Sequence, residues 1–157
     1  MSRQWMSGLV VALVVFAQGV AHADMSRPVI AAFKGQLVVS KGELPEGKND
    51  KDTIAKIKGE RLKEVTGQKN EDVTSWYFHY TAFLNRPGAA KLKMEFYVDG
   101  KKYVADKRLD GIDPKLTVLT GDISISEDEG LTSGKGYVIK LVNEKDQVVA
   151  TTPLLMK

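Results

Sequence analysis

The sequence predicts an all-β fold, an antiparallel β-sandwich of about seven strands with one short helix near residues 52–65. Three observations predict it. From Ser75 onward apolar and polar residues alternate with period two, the pattern of strands that bury one face. Turn-forming residues interrupt that pattern at short intervals, at Arg86-Pro87-Gly88, Asp99-Gly100, Gly111 to Pro114 and Glu144 to Gln147. No succession of strand and helix patterns, which a parallel sheet would require, runs through the chain.

In chain order, the first element is a leader. Arg3 gives a positive start, Leu9 to Ala17 forms an apolar core, and Ala21-His22-Ala23 places small residues where a signal peptidase cleaves. The apolar run is shorter than the roughly 20 residues of a membrane-spanning helix, so it reads as a signal peptide over 1–23, removed before Asp24. Residues 24–157 then form a single domain. Phe33, Leu37 and Val39 suggest a strand around Gly35, and Lys41 to Lys51 reads as a surface loop. Asp52 is placed to cap a helix carrying Ile54, Ala55, Ile57, Leu62 and Val65 on one broad face.

Next comes Ser75 to Leu84, with Trp76, Phe78, Tyr80, Ala82 and Leu84 on one face. Lys91 to Val98 turns Leu92, Met94, Phe96 and Val98 inward and leaves Lys93, Glu95 and Tyr97 for water. Asp99-Gly100 is a two-residue hairpin signal, which returns Lys101 to Leu109 antiparallel. Leu116 to Ser126 directs Leu119, Ile123 and Ile125 inward, with Gly121 marking a bulge. Tyr137, Ile139 and Leu141 form the next inward set. Val148 to Met156 is the last strand, and Pro153 within it favours an edge position or a bulge.

Leu131 and Tyr137, six apart and followed by alternating Ile139 and Leu141, resemble the tyrosine corner of immunoglobulin and fibronectin type III folds. The resemblance implies that Tyr137 buries its ring and bonds a backbone group through its hydroxyl. It spans residues 131–137, with Ser133 where the fibronectin version often has proline, and without the disulfide of antibody domains. Trp76 is similar to the core tryptophan of the same folds. The resemblance implies an immunoglobulin-like sandwich and no particular activity.

Composition narrows the chemistry. Lys and Arg number 23 against 20 Asp and Glu. Without Arg3 the balance is +2, far from the footprint of a nucleic-acid binder. Cysteine is absent, so neither a disulfide nor a lipid-modified cysteine is available, and packing alone must hold an exported fold. No stable membrane anchor remains once the leader is cut. His79 is the sole histidine beyond the leader, too few for the usual zinc set, and no Gly-x-Ser-x-Gly turn accompanies it. Gly130 to Gly136 lacks the P-loop spacing. Glu127-Asp128-Glu129 gathers carboxylates, as a calcium loop does, but outside the EF-hand spacing.

These readings imply no cofactor, no metal and no catalysis. The expectation is an exported interaction or structural module that recognises a protein partner, by a sheet face or by strand addition at Val148 to Met156. The partner-binding candidates are Tyr77, His79 and Phe83 on the second face of their strand, with Tyr97 on a neighbouring one. The alternative use of that aromatic face is to stack a polysaccharide or other small ligand, which requires coplanar, exposed rings.

Overall fold

The computed structural model describes residues 21–22 and 24–157. The expected leader lies outside the described residues, apart from the backbone of Ala21–His22. The elements are β1 (Ala21–His22), α1 (Arg27–Ala32), β2 (Leu37–Ser40), α2 (Asp50–Glu60), β3 (Glu64–Val65), β4 (Gln68–Asn70), β5 (Val73–Phe83), β6 (Leu92–Val98), β7 (Lys102–Leu109), β8 (Val118–Ser126), a 3-10 turn (Glu127–Glu129), β9 (Lys135–Asn143) and β10 (Val148–Met156).

They form a β-sandwich. One sheet has the order β1-β8-β5-β2, with β4 beside the start of β5. The other has the order β3-β10-β9-β6-β7. Named strands pair antiparallel except β3 with β10. Between the sheets lies the main core, where Trp76, Phe78, Tyr80 and Ala82 share one cluster with Leu92, Met94, Phe96, Tyr137, Ile139 and Leu141. Each large apolar side chain so buried contributes about 1.5–3 kcal/mol of transfer free energy. Period-two alternation therefore identified the inward faces of β5, β6, β8 and β9.

Local chemistry fixes the corners. Asp99 and Gly100 both have positive φ, 52° and 70°, and Lys101 N–H reaches Val98 O at 3.1 Å, closing the tight hairpin between β6 and β7. Tyr137 is buried, and its hydroxyl accepts the Thr132 N–H at 2.7 Å. Trp76 Nε1 donates to Lys157 O at 2.8 Å, so its one polar atom is satisfied inside the core.

Three expectations change. The bulge at Gly121 does not form, because β5 and β8 pair without a register shift from Ser75–Ser126 to Phe83–Val118. Glycine serves space instead: a Cβ there would lie 2.8 Å from Tyr80 Oη. The helix ends earlier and begins sooner than 52–65. Its cap is Asn49, whose Oδ1 accepts Asp52 N–H, and the chain becomes extended at Arg61. Leu62 and Val65 leave the helical face and join the main core, Leu62 N–H bonding Val39 O at 2.8 Å. Phe33 is likewise not on a strand with Leu37. Pro28 opens α1, Phe33 caps its end, and the chain turns before β2 begins.

This last change gives the sandwich a third layer. Val29, Phe33 and Ile57 from the helical segments pack with Val38, Phe83 and Val118 on the outer face of the first sheet. The Phe33 and Phe83 rings lie 5.1 Å apart. Among the described residues, one sheet thus carries a helical cover and the other has no helix packed on its outer face.

Candidate functional site

The four residues singled out from sequence do not share one surface. On β5, Tyr77 is 63% exposed, His79 is 8% exposed and Phe83 is fully buried in the second core. Tyr97 stands on β6, in the other sheet. The helical cover explains the split: it closes over Phe83 and stops short of Tyr77. The strip read from the alternation of β5 is therefore a single exposed ring beside a covered patch.

That patch has a notable row. Ser40, His79 and Asp122 face one another across β2, β5 and β8. His79 Nδ1 meets Asp122 Oδ1 at 3.0 Å, and its Nε2 has no hydrogen-bond partner among the described residues. Ser40 does not complete a triad, since its hydroxyl donates to Gly42 O at 2.7 Å and the residue is 2% exposed. The Asp122 charge also holds the Tyr77 hydroxyl above its usual range.

The second sheet has the more developed surface. The register of β6 sets Tyr97 opposite Tyr103 on β7 and Val138 on β9. The two tyrosine rings are 5.9 Å apart with planes 73° from parallel. Lys140 Nζ lies 4.2 Å from the centre of the Tyr97 ring, a cation–π contact. Tyr97 donates to Glu95 Oε2 at 2.6 Å, and Lys93 pairs with Glu95 Oε1 at 3.1 Å. Tyr103 donates to Asp106 Oδ2 at 2.5 Å. Glu95, expected in water, is 8% exposed beneath these neighbours. Its hydrogen bond pushes the Tyr97 hydroxyl up to about 12, since ionising that phenol would set two negative charges side by side.

Beside the pair, at Val138, runs an apolar groove of about 670 Å³, with Arg61 to Lys63, Asp99, Pro153 and Leu155 also among its lining residues. Its origin is topological. The chain leaves β10 after Gln36 bridges Thr151, crosses the helical layer, and returns where β3 joins Leu155 and Met156. The outer edge of β10 is consequently occupied rather than open. Asn85 N–H bonds Val149 O at 2.9 Å, Thr151 N–H bonds Gly35 O at 3.1 Å, and Leu155 N–H bonds Lys63 O at 3.0 Å. The N–H of position 153 would point the same way, and proline has none. Pro153 sits between the bonded Thr151 and Leu155 on that edge, where it discourages strand addition.

The acidic loop after β8 already has internal partners. Glu127 Oε2 accepts Thr74 N–H, Glu129 Oε2 accepts Ser126 N–H, and Glu129 Oε1 pairs with Lys107. Among the described residues no three His, Asp or Glu side chains are grouped to hold a metal ion. Sequence reasoning missed Lys140 and the groove. Lys140 alternates visibly with Ile139 and Leu141, but which strand receives it depends on cross-strand register. Comparison of the chain with protein-family models, with curated proteins and with solved structures finds no match.

Proposed function

We propose that this chain is an exported, non-catalytic interaction module, an immunoglobulin-like sandwich that binds a protein partner through the outer face of its second sheet. The observation that carries the reading is the asymmetry of the two outer faces. Helices close one. The other presents the Tyr97–Tyr103 pair, Lys140 and the adjoining apolar groove. Stiff aromatic area ringed by charges and next to a cleft suits the anchor-and-rim arrangement of protein interfaces.

The order β3-β10-β9-β6-β7 set against β8-β5-β2, together with the Tyr137–Thr132 bond, supports the immunoglobulin-like assignment. The signal-peptide pattern of residues 1–23 supports export. Stacking of a polysaccharide is less well served, because rings 73° apart offer no flat platform. Occupation of the β10 edge favours face recognition over strand addition.

A photo-crosslinking residue placed at position 103 or 138, in cells producing the full chain, should trap one protein species, and the same probe at position 77 should not. Replacing Tyr97 and Tyr103 together by Ala should weaken capture by about thirtyfold, the effect of losing one interface anchor. Equal trapping from position 77, or undiminished capture by a folded double variant, would remove the second sheet from consideration.

A further inference from the structure

The helical layer over the first sheet is incompletely filled. A recess of about 370 Å³ lies between the start of α1, the loop at residues 43–47 and the start of α2, with Thr81 of β5 and Thr120 of β8 lining it. We propose that this recess is a binding site for a primary alkylammonium group, independent of the partner face on the other sheet.

Charge sets the sign of the ligand. Asp24, Glu43, Glu46 and Asp50 line the recess, and among the described residues no Lys or Arg does. The positive end of α2 does not reverse this, because Asn49 caps it and Asp50 and Asp52 occupy its first turn. Lys56, which reaches the loop through Glu46 O at 3.2 Å, is paired with Asp52 at 3.4 Å.

The buried hydroxyl makes the argument specific. Thr81 is 0% exposed, and its Oγ1 has no hydrogen-bond partner among the described residues. It stands on the helix-facing side of β5 between His79 and Phe83, in a wall where valine would have the same shape and leave no orphan polar atom. An ammonium brings three N–H donors, and a threonine oxygen can accept one of them. Apolar contacts for a methylene stem come from Met25, Val29 and Leu44. A bare metal ion fits poorly, since the carboxylates are not grouped to hold one.

The test is a chemical-shift titration of the isotopically labelled protein with n-butylamine, which is protonated at neutral pH, against n-butanol and calcium chloride as controls. The amine should move the amides of Val29, Gly47 and Thr81 and saturate. The alcohol and calcium should leave them in place at equal concentration. Glu43→Gln with Glu46→Gln should weaken the amine by about fivefold, as two exposed charges allow. Thr81→Val should weaken it by about tenfold, the loss of a hydrogen bond to a charged group, and should melt no lower than the parent protein. Spermidine and Nα-acetyl-lysine methylamide then separate the sources of the group, a free polyamine or a lysine side chain. Equal response to n-butanol, a calcium response at the same amides, or full amine affinity in Thr81→Val would overturn the proposal.

Discussion

Gly121 shows how a single position can read one way in sequence and act another way in the fold. A glycine among Leu119, Ile123 and Ile125 suggests a bulge, yet the pairing runs through it unbroken. What sequence cannot show is the cross-strand neighbour, here Tyr80, whose ring fills the place a side chain would take. Gly121→Ala must push that ring into a packed core, so it should destabilise by about 1–3 kcal/mol, read as a lower denaturant midpoint at unchanged m-value. The Tyr137 corner behaves differently, because its signal is local in sequence. Tyr137→Phe deletes the acceptor for Thr132 N–H and should cost about 1–3 kcal/mol, less to the extent that water reaches the freed amide.

Among elements, strands were legible and short connecting pieces were not. The long strands β5, β6, β8 and β9 each set three to five apolar residues on the inward face, enough for the period to stand out against any single residue. The helix was recognised but misplaced, since Ile54, Ile57, Leu62 and Val65 fit a helical face while the last two belong to the main core. Extended backbone from Arg61 and the pairing of Leu62 with Val39 separate the two fates, and both are tertiary effects. Asn49→Ala should destabilise α2 by about 1 kcal/mol, whereas Asp52→Asn should act mainly through its lost charge. The Lys48 N–H bond holds the Asp52 carboxyl below its usual range, so its contribution is present above pH 4 or so and fades as pH falls through the lowered value. A stability profile from pH 6 to pH 2 of the Asn variant, flatter than that of the parent, checks this.

At the scale of the molecule, the two sheets and their inward faces could be read from alternation, but the inequality of their outer faces could not. It depends on which strands end up beneath α1 and α2, and therefore on contacts between residues far apart in the chain. Tyrosine ionisation offers a probe of the two sides. Burial pushes the Tyr80 hydroxyl up to about 12, and the Glu95 hydrogen bond does the same for Tyr97 on the open face. Both pKa values are raised above the unfolded value near 10, so the fold keeps protons that the unfolded chain has released. Stability is then complete below pH 10 and is lost as pH rises toward 12. For Tyr80 the loss is on the order of 2–3 kcal/mol. Tyr97 stands where solvent screens the charge, and its share should be much smaller. Tyr80→Phe should therefore flatten the alkaline limb of the stability curve more than Tyr97→Phe does. The reverse order would mean that Glu95 and Tyr97 form a tighter, drier pair than an open face permits, and that the surface proposed to receive a partner is already sealed by its own side chains.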